Sequence, residues 1–291
     1  MTWWVRRSWD THGMVELAPV TLGPVVLAGD RALVVVSLLV GLVVAEVVSR
    51  RSGRDAEWAW SAVIAGLVAA RLGFVVVNAD VFLARPLEIV FFWQGGFLAW
   101  LGALVGVGWA GWTLRRQGGD VRPLVAPSVA ALLAAVVALA VLPVAPDRPS
   151  LATVSVPLVS MEGEPVVMAD WWGTPTVVNL WATWCGPCRR ELPMLIDEVS
   201  GREDVRLVLA SQAEAASTVQ AYMQEQGLPL GDVVLDGGGG LQRVAQAVGL
   251  PTTLFVDAEG NVVRVAFGEL GRATVRDGIA AAQRGVEDDG P

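Results

Sequence analysis

Cysteine is nearly absent from this chain of 291 residues, which has only Cys185 and Cys188, and histidine occurs once, at position 12. So few donors argue against a structural zinc site, which needs four Cys or His ligands, and against a bis-histidine haem. Lysine is missing altogether, so all 21 basic residues are arginine; no function follows from that. Residues 1–146 carry 11 Arg against 9 acidic residues, whereas residues 147–291 carry 10 against 20. A second half this acidic excludes a nucleic-acid surface, because a phosphate backbone demands basic side chains.

What is plentiful is apolar. Hydrophobic residues make up 54% of the chain and the mean hydropathy is +0.53, too high for two soluble domains of this combined length. Residues 1–30 hold Arg6 and Arg7 with no apolar run beside them and no small-residue cleavage pattern, so no cleaved signal is expected. Four apolar runs follow. Ala32 to Val48 is interrupted only by Ser37 and Glu46. Trp58 to Val77 carries Trp58 and Trp60 as interface anchors. Ile89 to Leu114 is longer and glycine-rich, so that it either tilts or begins with an interfacial turn, and Leu124 to Leu142 has Pro123 and Pro127 about its first turn. Each is long enough to cross a hydrocarbon layer of roughly 30 Å. The expected fold is an α-helical membrane domain of four transmembrane helices, residues 1–142, then a linker, 143–150, then an α/β domain, 151–291.

Arg50, Arg51, Arg54, Arg115, Arg116 and Arg122 flank these runs on one side, against Arg85 alone in the opposite short loop; Arg6 and Arg7 count the other way. Positive-inside bias places the six in the cytoplasm. Four crossings then put the cysteines outside it, whereas three, with Leu124 to Leu142 lying on the membrane, would leave them inside. The expected location is the bacterial inner membrane, multi-pass, with the redox domain on the periplasmic or extracytoplasmic side. Arg71, inside the second run, can snorkel to the headgroups, pack between helices, or hold a lipid headgroup or partner. Glu46 pairs with Arg50 one turn on.

The cysteines stand in Trp184-Cys185-Gly186-Pro187-Cys188. An apolar strand, Thr176 to Ala182, precedes them and a helical pattern, Arg189 to Val199, follows. At a strand-to-helix junction the first helical N–H groups are unpaired and the helix dipole favours an anion. Cys185 is therefore expected as thiolate and nucleophile, its pKa lowered from about 8.5 toward roughly 7, and Cys188 as the resolving thiol. An inert structural disulfide would gain little from closing so short a loop.

The run Val178-Asn179-Leu180-Trp181-Ala182-Thr183-Trp184-Cys185-Gly186-Pro187-Cys188-Arg189-Arg190-Glu191-Leu192-Pro193 resembles the active-site segment of thioredoxin-fold proteins, and its Arg-Arg-Glu-Leu-Pro ending resembles the TlpA/ResA-like thiol-disulfide reductases. Gly249-Leu250-Pro251-Thr252-Thr253 matches the second family signature. The resemblance spans about Leu151 to Gly285. It implies a cis peptide bond at Pro251, set against the cysteines where backbone groups near Pro251 and Thr252 can pair with a substrate strand. It also implies that Glu191 tunes the thiols, the alternative being a charge on a helix surface. Thioredoxin has a buried aspartate where Asn179 stands, and an amide cannot take the proton of Cys188. Trp184 is expected to shield Cys185, and Pro193 to kink the helix.

Gly-Pro between the cysteines resembles thioredoxin, near −270 mV, more than oxidising relatives near −120 mV, so the resemblance implies a reductant. Its partners would be protein disulfide and thiol clients, such as apocytochrome c or copper-site cysteines, the lipid bilayer, and a separate membrane electron donor of the dithiol-carrier type. The membrane part has no cysteine and cannot pass electrons by thiol exchange. No cofactor is needed beyond the dithiol.

Around these motifs, Ala152–Val156 and Pro165–Met168 read as a strand pair. Val205–Ala210 and Val233–Leu235 read as strands, and Thr253–Val256 with Val262–Phe267 as a hairpin. Thr218–Gln226, Leu241–Val248 and Arg272–Arg284 read as helices. The glycines 237–240 read as a turn, since a phosphate loop would end in Lys-Ser/Thr. The proline-rich linker is a short spacer with roughly 25 Å of reach.

A second resemblance lies upstream. Leu22-Gly23-Pro24-Val25, Ala70-Arg71-Leu72-Gly73-Phe74, Arg85-Pro86-Leu87-Glu88 and Trp93-Gln94-Gly95-Gly96 resemble the first half of prolipoprotein diacylglyceryl transferase. In that family an essential histidine follows the Gly-Gly pair. Here Trp100 occupies its place and the family's later helices are missing, which implies an anchor or docking platform. Transferase activity and a redox-sensing scaffold without turnover are the rival functions.

Overall fold

The computed structural model describes residues 18–22, 25–53, 55–117, 122–142, 150–199 and 201–285. His12, Arg6, Arg7, Arg54 and most of the expected linker lie outside the described residues. The rest falls into two compact units, one on each side of residues 143–149.

The first unit is helical. After a small hairpin of β1 (Val20–Leu22) and β2 (Val25–Leu27) come α1 (Gly29–Arg51), α2 (Glu57–Val77), a short α3 (Ala79–Ala84), α4 (Ala99–Arg116) and α5 (Val125–Val141). Among the described residues, three stretches are long and apolar enough to cross a membrane: Arg31–Arg51, Glu57–Val77 and Arg122–Val141. The expected third, Ile89 to Leu114, is not confirmed as a continuous span. Its first part is two 3₁₀ turns, Pro86–Val90 and Phe92–Gln94, and Gly95 and Gly96 follow with φ of +84° and +82°, a conformation that ends any helix. What remains, α4, has 18 residues and closes on Arg115 and Arg116. The polar loop expected from Asn78 to Glu88 contains α3.

Small residues decide the packing in this unit. A side chain added at Gly66 would meet the Gly102 carbonyl at 2.8 Å, one at Gly102 would meet the Gly66 carbonyl at the same distance, and one at Gly106 would meet the Ala62 carbonyl at 3.3 Å. α2 and α4 therefore run antiparallel, backbone against backbone, as small-residue membrane interfaces do. Trp109 Nε1 donates to Ser61 Oγ at 3.2 Å further along the seam.

The second unit is a seven-stranded sheet with strand order β4-β3-β7-β6-β5-β8-β9. The strands are β3 (Leu158–Ser160), β4 (Pro165–Val166), β5 (Thr176–Trp181), β6 (Arg206–Gln212), β7 (Val233–Asp236), β8 (Thr252–Val256) and β9 (Val262–Phe267), and the helices are α6 (Gly186–Val199), α7 (Ala216–Gln226), α8 (Gly240–Val244) and α9 (Arg272–Arg284). The central strand β5 is parallel to β6 and antiparallel to β8. It is buried along its whole length, which is why its sequence reads as a continuous apolar run. Val177 and Trp181 pack on one face with residues of α6, α7 and α9. Val178 and Leu180 pack on the other with Leu151, Trp171 and Leu241.

Two of the boundaries that differ from the sequence expectation have a local cause. The N-terminal strand is Leu158–Ser160 instead of Ala152–Val156, because Ser160 Oγ accepts the Glu162 N–H at 3.1 Å and Gly163 takes φ +89°, building a turn that pairs the residues beside it. Residues 151–153 form a 3₁₀ turn. Helix α8 stops at Val244, short of the expected Val248, where Gln246 turns to φ +50°.

A buried dithiol with a buried carboxyl one turn away

Strand β5 ends at Trp181, and the chain turns through residues 182–184 into α6. Cys185 holds the cap position of that helix: its carbonyl accepts the Arg189 N–H at 3.1 Å, and its Sγ accepts the Cys188 N–H at 3.3 Å. This is the role a Ser or Asp oxygen plays at other helix starts. Pro187 follows Gly186 in the first turn, where a missing N–H costs nothing. The two sulfurs form a disulfide, the oxidised state of the pair. Cys188 is fully buried, whereas Cys185 shows 6% of its surface beside Trp184, which is 71% exposed. Pro193 lies inside α6, leaving the Arg189 carbonyl without a helical donor.

The turn before Cys185 is pinned from the next strand. Glu214, in the β6–α7 connection, accepts the Thr183 N–H at 2.8 Å, the Thr183 hydroxyl and the Ser211 hydroxyl at 3.1 Å. Sequence reading missed Glu214, because nothing local marks a carboxylate 31 residues away as the partner of this turn.

One turn beyond Cys188, on the same helix face, Glu191 is 2% exposed. The alternative of a surface charge is therefore corrected: α6 turns this carboxyl into the interior against the sheet. Asn179 Nδ2 donates to Glu191 Oε1 at 3.4 Å, Thr253 Oγ1 donates to the same oxygen at 3.3 Å, and the Leu270 N–H donates to Oε2 at 3.3 Å. Asn179 and Thr253 are directly paired across β5 and β8 and linked by a 2.9 Å bond from Nδ2 to Oγ1. Burial pushes the Glu191 carboxyl up to about 8; the bonds from Leu270 and Thr253 oppose that rise, and the nearby Glu269 charge adds to it. Thr253 is a second residue that sequence reading did not single out. It stands in the Pro-Thr-Thr run, but nothing local showed that the second threonine faces the helix.

The Leu250–Pro251 peptide is cis. Because Leu180 pairs with Thr252, Pro251 falls level with Trp181, at the end of β5 that leads to the cysteines. Its carbonyl accepts the Gly268 N–H at 2.9 Å, while Thr252 Oγ1 donates to the Gly249 carbonyl at 2.7 Å. Arg190 pairs with Glu269 at 2.6 Å, so the Gly268–Leu270 segment is tied both to the cis-proline turn and to α6. The glycines 237–240 make no phosphate cradle: the N–H groups of Gly240 and Leu241 donate to the buried Asp236 carboxylate at 2.7 and 2.9 Å.

In the helical unit the Arg71 guanidinium is bound by backbone carbonyls of the same unit. Its Nε donates to the Ile89 carbonyl at 3.1 Å, Nη1 to those of Gly95 and Gly96 at 2.7 and 3.1 Å, and Nη2 to that of Glu88 at 3.0 Å. The rings of Phe74, Phe82 and Phe97 stand 5.5–5.9 Å from the guanidinium. Arg71 therefore satisfies the carbonyls of a loop with little regular structure of its own. Trp100 lies in the first turn of α4, where it is 54% exposed.

The fold and the capped dithiol define the second unit as a thioredoxin-fold domain. Residues 150–265 match the AhpC/TSA family and residues 30–142 match the prolipoprotein diacylglyceryl transferase family. The thiol-disulfide oxidoreductase ResA of Bacillus subtilis is 28% identical over 117 residues, 40% of this chain and 65% of that protein. ResA of Halalkalibacterium halodurans is 29% identical over 126 residues, 41% of this chain and 69% of its own. Among solved structures, StoA from Bacillus subtilis is 21% identical, with TM-score 0.39, covering 45% of this chain and 98% of StoA. A thioredoxin-family thiol:disulfide interchange protein from Chlorobium tepidum is 28% identical, with TM-score 0.39, covering 47% and 97%. Residues 30–142 are thus similar to the transferase family, and the thioredoxin-fold unit is similar to ResA, of which the chain spans 65% of the length.

Proposed function

We propose that this protein is a membrane-tethered, extracytoplasmic thiol-disulfide oxidoreductase that reduces disulfides in client proteins. The observation that carries the reading is the Cys185–Cys188 pair at the start of α6, with the Cys188 N–H on Cys185 Sγ and the Glu191 carboxyl one turn deeper.

In the reduced protein the N–H that reaches Cys185 Sγ, together with the helix dipole, stabilises a thiolate there. That thiolate attacks one sulfur of a client disulfide, and the client's other sulfur leaves and is protonated. Cys188 then loses its proton to the Glu191 carboxylate and attacks Cys185 Sγ, releasing the second client thiol. The client gains two electrons and two protons, and the pair becomes the disulfide. Glu191 suits the proton step because its pKa of about 8 lies near the operating pH and near that of a thiol. Two electrons from a separate dithiol carrier in the membrane reset the pair. Apocytochrome c and copper-site cysteines are the proposed clients, on the strength of the family resemblance.

Four crossings support the extracytoplasmic placement. α4 spans about 27 Å at 1.5 Å per residue and is matched to α2 by close backbone contact from Gly66 to Ala62, so a bilayer that holds α2 holds α4 as well. With Arg50, Arg51, Arg115, Arg116 and Arg122 in the cytoplasm, the dithiol faces outward in the bacterial inner membrane. Because Trp100 replaces the transferase histidine, the membrane unit is an anchor or a docking platform.

The test is insulin disulfide reduction by the purified full-length protein in detergent with a dithiol reductant. Activity that Cys185→Ala abolishes supports the reading; activity that survives Cys185→Ala, or none in the unmodified protein, contradicts it.

A further inference from the structure

Among the described residues, Asn179 Oδ1 is buried with no hydrogen-bond partner, although the other end of the same amide is engaged twice, with Thr253 Oγ1 and Glu191 Oε1. A stranded acceptor beside a carboxyl is costly. The three groups that reach Glu191, from Asn179, Thr253 and Leu270, all donate. That arrangement fits a carboxylate. A protonated carboxyl brings a hydrogen of its own and needs an acceptor.

The amide of asparagine supplies one. Its two ends are nearly equal in shape, and a half-turn about the last side-chain bond exchanges donor for acceptor. After the half-turn Oδ1 faces Thr253 and Glu191, taking the hydrogen of the acid or of the threonine hydroxyl. Thr253 can follow, because a hydroxyl both donates and accepts.

We propose that Asn179 is a positioning residue whose amide turns over with the protonation of Glu191, offering Nδ2 to the carboxylate and Oδ1 to the acid. Both forms of the group that exchanges a proton with Cys188 are then hydrogen-bonded in a dry site. The inference rests on the reading of Glu191 as that proton acceptor. It also accounts for an amide here: an aspartate would set a second carboxylate against the first, and two close carboxylates cannot both ionise freely. On α6 the buried Cys188 lies one turn before the buried Glu191, and from β5 and β8 Glu191 is faced by the neutral Asn179 and Thr253. The segment before α9 adds Glu269, whose charge is paired with Arg190 at 2.6 Å.

Infrared difference spectra of the reduced full-length protein in detergent, taken across a pH titration, read the device. The carbonyl band of protonated Glu191 is identified by its loss in Glu191→Gln. In Asn179→Leu that band is expected at higher frequency, since the acid has lost an acceptor, and the titration midpoint is expected to move little, since the anion has lost a donor at the same time and the two losses oppose each other. If the midpoint moves while the acid band stays where it was, Asn179 is only a fixed donor and the proposal fails. Should Asn179→Leu not fold, the side-chain amide NMR signals of Asn179 in the unmodified protein decide: they follow the Glu191 titration if the amide turns, and ignore it if it does not. If the unmodified protein shows no band that Glu191→Gln removes at any pH of the titration, Glu191 takes up no proton, and the proton-acceptor reading falls and takes this one with it.

Discussion

The Glu214 carboxylate accepts the Thr183 backbone N–H at 2.8 Å, fastening the turn that delivers Cys185 to the neighbouring strand. Each hydrogen bond to a charged group is worth about 1.5–3 kcal/mol, and this one carboxylate holds Thr183 twice. Glu214→Ala should lower stability by about 2–3 kcal/mol and slow alkylation of reduced Cys185, because the helix cap is no longer held in place. Glu214→Gln should recover part of both. Thermal unfolding and alkylation kinetics on the full-length protein check this.

The buried carboxyl gives a pH signature. Glu191 holds its proton up to about pH 8 in the folded protein, against an ordinary value of 4.5. Between these values the folded state binds more protons than the unfolded chain, so stability is greatest at the acid end and falls as the pH rises, by up to about 1.4 kcal/mol per pH unit. Glu191→Gln should flatten that slope. Its stability should match the parent near pH 4 and exceed it above pH 8, measured by unfolding midpoints across the range.

Arg71 makes a prediction about the membrane unit. Its planar fork spreads over four carbonyls, a geometry that an ammonium cannot copy. Arg71→Lys and Arg71→Leu should both cost several kcal/mol, since hydrogen bonds to a charged group are worth about 1.5–3 kcal/mol each, and should cut the yield of monodisperse protein extracted from membranes. A lysine variant that extracts like the parent would show the carbonyl clamp to be dispensable.

These three sites differ in how far the sequence revealed them. The cysteines and the run of β5 were legible because each is a local pattern, whereas the cis-proline was legible only through the family resemblance. Glu191 was legible only through resemblance: its i, i+3 spacing from Cys188 fits equally a surface charge, and the sheet that buries it is assembled from strands distant in sequence. Thr253 and Glu214 were not legible, since their partners lie 62 and 31 residues away. Arg71 was visible as a charge in an apolar run, but its partners are backbone carbonyls, which carry no sequence mark. Of the two readings of the third run, the turn at its start is the one that fits, although its hydropathy gave no sign of the left-handed backbone at Gly95 and Gly96.

The two cysteines should separate by role. In cells, Cys188→Ala should accumulate mixed disulfides with client proteins through Cys185, reversible by dithiothreitol, because the resolving thiol is gone. Cys185→Ala should form few or none, since Cys188 is fully buried.

The most direct test of outward-facing thiol exchange is labelling of intact cells with a membrane-impermeant alkylating reagent, applied to the Cys188→Ala protein after reduction. The account expects Cys185 to be modified from outside, and the trapped adducts to disappear when that labelling precedes them. Modification only after the membrane is broken would place the dithiol in the cytoplasm and contradict it.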